Sequence, residues 1–463
     1  MAEAPLIVKT AAREGSNQAT KGLKNGFVRE RWRPIRAMGP FTTARVCEVL
    51  PPPLTGYLVH LMVGHGGIGE ALSNRSNSLN FLRLVLALVV LASHAIGLGF
   101  GLDPSVSHTP TGTIAVYGFF GISGYLIAGS AIRNHAGRYL WLRFLRIFPG
   151  FWVALVLTAF FFGLIGWLSP GEYRLVGFIA HGGSHCGVSC YLGARNSPFD
   201  YVLRNWLLNI NQQVIAGTVW NGSLWTLFYE FLSYLFLLVL AVTGFLRLRI
   251  WTLATTAALW AVVTVITLTP SYAGRFPANG FWMNFLKLTT IFMVGAVIFL
   301  YRERIPDSGW LALLCAVLFT ASLWLPGEFP AWNFTPSELL APLIAYPLLW
   351  LGIHLPFQKV GSKNDYSYGV YIYAYPVTVL LVIWHLQRWG YAVFVLLCVV
   401  ATVPFAVGSW WLIEKRSLNQ KRADPKVILS RILGPKRVKQ SKTAEASDSI
   451  ALEGSLVPKS DGS

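Results

Sequence analysis

Apolar runs long enough to cross a bilayer recur along this chain, at about 80–98, 113–132, 147–168, 223–246, 250–270, 282–301, 309–325, 337–354, 366–386 and 390–413. Each reads as one helix, so the pattern predicts an all-α polytopic membrane protein of about ten spans. The polar positions between the runs are biased in charge. Alternate connections carry Arg133, Arg138, Arg143 and Arg146, then Arg247 and Arg249, Arg302 and Arg304, Lys359 and Lys363, whereas the short ones between them carry chiefly Arg275 and Arg388. Cation-rich connections stay in the cytoplasm, and an even count returns both termini there. The long connection at about 169–222 falls outside with Arg174, Arg195 and Arg204, which long loops tolerate.

Residues 1–77 are polar and basic, with a Pro51–Pro53 run and no signal-peptide core, and read as a disordered cytoplasmic tail. Residues 78–416 form the predicted membrane domain, and 417–463 a second basic, disordered tail; no second folded domain is expected.

Composition agrees with the pattern: 54% of the 463 residues are hydrophobic and 13% charged, with a mean hydropathy of +0.51, which excludes an ordinary soluble domain. The 18 tryptophans and 29 phenylalanines suit lipid-facing surfaces and interfacial belts. A formal charge of +18 raises the question of nucleic acid, but the cations sit in tails and short connections rather than along a groove, so no nucleic-acid partner is expected. The bilayer, a multi-pass plasma membrane, is the expected surrounding. Cys186 and Cys190 are the one close cysteine pair; on the outer side they are expected to form a small-loop disulfide. No His/Cys cluster has zinc spacing, so no metal site and no permanently bound cofactor are expected.

Ionisable residues inside spans are the candidates for chemistry, because each costs on the order of 2.5–3.5 kcal/mol to insert. In the first span Arg83 and His94 stand eleven positions apart, which puts them on one helix face about 16.5 Å apart along the axis. The second span, VYGFFGISGYLIAG, brings Gly118, Gly121, Gly124 and Gly129 for close helix approach, and Ser123 at mid-membrane depth. In RYLWLRFLRIFPG, Arg143 and Arg146 lie three apart on one face at the cytoplasmic mouth. They read either as plain topology signals or as a fork for phosphate. The fourth span, NGSLWTLFYEFLSY, holds Glu230, the one carboxylate placed well inside a span, with Glu338 at a helix end. Counting rise per residue, Glu230 lies about 10 Å and His94 about 6 Å below the outer surface, at similar depth on oppositely directed helices, so the two can come into contact. A carboxylate beside an imidazole fixes its tautomer and supports its cation, as a general base requires.

Together these stretches resemble the acyltransferase 3 family of integral-membrane O-acyltransferases, over roughly Ser78 to Arg416. Four features carry the likeness: the Arg83 to His94 spacing; FFGISGYL followed by RFLRIFP; NGSLWTLFYE; and SYGVYIYAYPV leading to SWWLIEK. Where many members have a histidine in the late segment, this chain has Ala374. The resemblance implies transfer of a short acyl group from acyl-CoA, as donor substrate, to a hydroxyl of a carbohydrate or glycolipid acceptor. His94 is then the expected base, Glu230 its orienter and Arg83 a charge stabiliser, with Arg143 and Arg146 holding the CoA phosphates. Ser123, Asn221, Trp225 and Tyr371, inside the same motifs, are the candidates for substrate contact. The rival readings are a proton- or anion-coupled transporter or flippase built on the same three residues, and a glycosyltransferase. Against them stand the lack of an inverted repeat and an acid-poor first outer loop, where Asp103 stands alone.

Overall fold

A computed structural model describes residues 66–73, 77–107, 109–169, 173–175, 178–180, 188–193, 196–269, 280–324 and 337–422. Its ten apolar helices are α1 (Leu79–Phe100), α2 (Thr111–Arg133), α3 (Ala136–Leu168), α4 (Trp225–Val242), α5 (Arg249–Leu268), α6 (Phe281–Tyr301), α7 (Gly309–Leu323), α8 (Glu338–His354), α9 (Ser367–Ile383) and α10 (Tyr391–Asn419). Seven of them, α1 to α6 and α10, are long and apolar enough to cross a membrane. The three others coincide with expected spans but are shorter, each for a local reason. Helix α8 is interrupted by a 3₁₀ turn at Ala341–Ile344 that contains Pro342. Helix α9 is buried at every position from Ser367 to Ile383; enclosed by protein, it need not match the hydrocarbon thickness. Helix α7 is capped by Ser308, whose hydroxyl accepts from Leu311 N, and it runs for 15 residues.

Helix α3 begins eleven residues before its expected span. His135 caps it by accepting from Arg138 N at 3.2 Å, so Arg138, Arg143 and Arg146 stand on a helix rather than in a loop. Its 33 residues extend about 50 Å, longer than a hydrocarbon core of about 30 Å, which leaves the basic turns beyond it. Both α3 and α10 contain a π-helical turn, Thr158–Phe162 and Trp410–Glu414.

Helix α2 is central and packs on α1, α4, α6 and α8. Its glycines are what let α6 approach: a Cβ on Gly124 would lie 1.8 Å from the Phe292 carbonyl oxygen, and one on Gly295 would lie 2.1 Å from that of Gly121. Backbone meets backbone here, as small-residue packing in membranes allows. Helices α5 and α7 are peripheral and expose Trp251, Val262, Val265, Trp310, Leu314 and Val317, a surface suited to lipid. Among the described residues three small antiparallel hairpins pair Ser105–Val106 with Thr109–Pro110, Tyr173–Leu175 with Phe178–Ala180, and Val214–Ile215 with Thr218–Val219. All lie in connections at the end of the bundle opposite the arginine-rich one.

The folded unit is wider than 78–416. Within the expected N-terminal tail, Ile68–Ser73 is a helix. It is docked by Ile68 N on Ile305 O (3.0 Å) and Gly69 N on Arg302 O (2.8 Å), with Ile68 fully buried. At the other end the chain stays helical to Asn419 and turns through Gln420–Arg422. Cys186 and the side chain of Cys190 lie outside the described residues, as do 1–65 and 423–463.

Candidate functional site

The arginine-rich end carries a largely buried charge cluster drawn from four elements. Asp365, in the loop before α9, accepts at Oδ1 from the Ser367 backbone N (3.2 Å) and from the Ser367 hydroxyl, an Asx-type turn that starts the helix. Its Oδ2 accepts from Arg83 Nη1 on α1 at 2.9 Å and from Arg146 Nη2 on α3 at 2.6 Å. Arg146 also lies 3.8 Å from Glu414 Oε2, and Glu414 Oε1 accepts from Ser409 Oγ at 3.1 Å across the π turn of α10. The Arg146 guanidinium sits over the Tyr368 ring at 5.6 Å. Burial alone pushes the Asp365 carboxyl up, but the Arg83 and Arg146 guanidiniums and the two Ser367 bonds outweigh it and hold that carboxyl well below the usual carboxylate range.

Arg143 and Arg146 therefore do not form a common fork. Arg146 is neutralised by carboxylates, while Arg143 lies over the rings of Tyr139 (5.9 Å) and Tyr234 (5.7 Å). Its Nε is buried with no hydrogen-bond partner among the described residues.

Inward from this cluster, Arg83, Thr226, Glu230, Ser367, Tyr368 and Tyr371 line a cavity of about 40 Å³, room for about one water. Two polar atoms around it are unengaged among the described residues. Arg83 Nε is buried with no partner. Glu230 accepts only at Oε1, from Ser123 Oγ at 3.2 Å and from the Tyr234 hydroxyl. Ser123 thus binds neither its own helix nor open space; it steadies Glu230. Tyr371 donates to Ser223 O at 3.1 Å and bonds Thr226 Oγ1.

Tyr368, Tyr371 and Tyr375 share one face of α9, spaced by three and four residues. From Tyr371 to Tyr375 is about 6 Å of rise, and there the column meets His94. The His94 ring lies edge-on to Tyr375 with centroids 5.0 Å apart, and among the described residues the imidazole makes no hydrogen bond. The expected contact between His94 and Glu230 is absent. Depth arithmetic placed them level, but Glu230 turns toward α2 at Ser123, while His94 meets α9 a turn further from the basic end.

Local backbone chemistry fixes this column. Pro376 has no N–H for the Ile372 carbonyl, and Asn221 Nδ2 donates to that carbonyl at 2.9 Å, so Asn221 pins α9 rather than standing free for a ligand. Gly222 makes room for Tyr375, whose ring would be 2.6 Å from a Cβ at that position. Trp225 lies outside the cavity, 37% exposed, against Tyr229.

Residues 76–411 match the acyltransferase domain family. The chain belongs to the acyltransferase 3 family. It is also 28% identical over 365 residues to an O-acetyl transferase of Shigella phage Sf6, an alignment covering 77% of this chain and 99% of that one. No solved structure matches it. The four sequence features that carried the resemblance are thus those of a true member, and the protein is an acyltransferase enzyme.

In this acyltransferase the sequence reading missed three charged groups. Asp365 and Glu414 are not among the candidates that the sequence offers. Lys287, inside α6, is buried against Glu338 with Nζ 2.7 Å from Oε1. A signal existed: so few acids occur between Ser78 and Glu414 that each is a candidate partner for a buried cation. Among the described residues no group of His, Cys, Asp and Glu has the arrangement to hold a metal ion.

Proposed function

We propose that this acyltransferase is a membrane O-acyltransferase that moves a short acyl group from acyl-CoA to a hydroxyl of a saccharide, glycolipid or related acceptor, with His94 as general base. The observation that carries the reading is the polar column along α9. It runs from the Arg83–Asp365–Arg146 cluster, through the cavity with its unengaged Arg83 Nε and Glu230 Oε2, to the hydrogen-bond-free imidazole of His94. A donor entering at the basic end and an acceptor arriving from the hairpin end would meet along it.

A thioester is already activated, so the alcohol needs proton removal and alignment. As the acceptor oxygen attacks the thioester carbonyl, His94 takes its proton; the C–O bond forms, the C–S bond breaks, and the proton passes to the leaving thiolate. Arg83, about 16.5 Å along α1 from His94 and paired with Asp365, holds the CoA part of the donor rather than the reacting carbonyl oxygen. Glu230, held by Ser123 and Tyr234, balances the cations at the cavity rather than orienting His94. Arg143, with its own unengaged Nε, contacts the CoA phosphates. The basic end is then cytoplasmic, the ten apolar helices all cross or fill the plasma membrane, and both tails lie inside, in line with the cation bias.

The test is incubation of purified protein with acyl-labelled acetyl-CoA and an envelope glycan extract. Label recovered in a hydroxylamine-labile ester supports the reading; flux of solute in vesicles without any ester product favours a transporter, and sugar transfer a glycosyltransferase.

A further inference from the structure

We propose that a second site, away from the column, binds the phosphodiester headgroup of an anionic phospholipid. It is a pocket of about 410 Å³ at the basic end, where the last turns of α2 and α6 face the connection from α4 to α5. Four arginines line it, Arg133, Arg247, Arg249 and Arg302, together with apolar Leu246 and Phe299, and no carboxylate does.

The local sequence brings these guanidiniums together. Gly244, at φ +83°, turns the chain out of α4 into a 3₁₀ turn at Phe245–Arg247, and α5 starts two residues later at Arg249. On α2, Gly129 leaves its Cβ space to the Phe299 ring and to Arg133 Nη1, which would be 2.8 and 3.0 Å from an added methyl. Arg302 has its guanidinium carbon over the Phe299 ring, 4.4 Å from the centroid, and donates to the Phe299 carbonyl at 2.9 Å. Its carboxylate neighbour Glu303, at 3.2 Å with a side chain 61% exposed, is screened by solvent. Among the described residues Arg133, Arg247 and Arg249 have no ion-pair partner. A plain topology signal needs cations at this end, but it does not need four of them to converge on one concavity. Convergence of like charges is unfavourable until a polyvalent anion enters, and guanidinium forks match phosphate oxygens.

The surroundings favour a lipid over a soluble phosphate ester. Phe245, Leu248, Ile250 and Trp251 are 43–64% exposed and alternate with Arg247 and Arg249, the composition of a bilayer interface. Ile132, on the pocket wall, is also exposed. Basic pockets between membrane helices at the cytoplasmic side bind anionic headgroups in this way.

The experiment measures the thermal midpoint of the purified full-length protein in neutral detergent, titrated with short-chain phosphatidylglycerol, phosphatidylcholine of the same chains, or CoA. The expected result is saturable stabilisation by phosphatidylglycerol alone. Arg247→Gln combined with Arg249→Gln should weaken its apparent affinity about tenfold or more, while Arg416→Gln, at an exposed cation of the same end, leaves it unchanged. If the double variant has a lowered midpoint before any addition, Arg133→Gln is read in its place, with the same weakening expected. Equal stabilisation by phosphatidylcholine, undiminished phosphatidylglycerol affinity in the variants, or saturation by CoA with phosphatidylglycerol inert would each overturn the proposal. None of these readouts depends on acyl transfer.

Discussion

Asp365→Asn removes one charge from a site where a single oxygen serves two guanidiniums, at 2.9 and 2.6 Å. In the wild type, Asp365 and Glu414 balance Arg83 and Arg146; in the variant two cations face one carboxylate, itself 3.8 Å from Arg146. Taking one partner from a buried pair costs about 3–5 kcal/mol. Because these side chains keep 14–17% exposure, the low end, about 3 kcal/mol, is expected. Denaturant or thermal unfolding in detergent measures it. The cycle with Arg146→Gln should show the double variant losing less than the sum of the singles, by about 1–3 kcal/mol. The pH dependence has a definite sign. A carboxyl held below its ordinary value stabilises the fold fully above about pH 4, its unfolded value, and the contribution is lost only as pH falls through the lower folded value. The part of the gap between wild type and Asp365→Asn that comes from Asp365's own ionisation should therefore shrink only in acid below about pH 4. A variant within about 0.5 kcal/mol of wild type, the range of neutral surface changes, would refute the cluster as a structural centre.

The two arginines of the α3 motif should separate in assay: Arg143→Gln raises the Michaelis constant for acyl-CoA with little change in turnover, the signature of lost uniform binding, whereas Arg146→Gln lowers the unfolding midpoint. Gly222→Ala must displace the Tyr375 ring, so turnover should fall more than stability; equal loss in both would make Tyr375 a packing residue only. Gly124→Ala, whose methyl meets the Phe292 carbonyl, has no flexible neighbour to move and should abolish a folded, monodisperse preparation in size-exclusion chromatography. Glu230→Gln keeps an oxygen to accept from Ser123 and Tyr234 and should fold normally; a cycle with Tyr234→Phe should be non-additive, since the two residues are in contact.

Helix identity was legible wherever a run was uniformly apolar, as in α1, α2 and α6, whose ends fall within two residues of those expected. It was less so for α3, because its first turns, GRYLWLRFLR, read as a cationic connection when hydropathy alone is scanned; the pairing of Arg146 with Asp365 is what makes that turn compatible with burial. Pro342 inside α8 was a visible breaker, and its 3₁₀ turn follows from it. The site divides in the same way. Arg83, Glu230 and His94 stood out as ionisable residues in spans, and Arg83 and Glu230 do share a cavity. Their partners did not stand out, because Arg83 and Asp365 are 282 positions apart and helical rise fixes depth along the axis but not which neighbour a side chain turns to. That limit is also why the expected His94–Glu230 contact gave way to Ser123 and Tyr234.

The central claim is that His94 removes the acceptor's proton, and single-turnover transfer from labelled acetyl-CoA by His94→Ala tests it most directly. The imidazole makes no hydrogen bond to the described residues and only an edge contact with Tyr375, so its loss should leave membrane level and unfolding midpoint close to wild type. Transfer should fall about 10²–10⁴-fold, the usual worth of a positioned general base. A His94→Ala protein of normal abundance and stability that transfers acetyl at near wild-type rate would contradict the account.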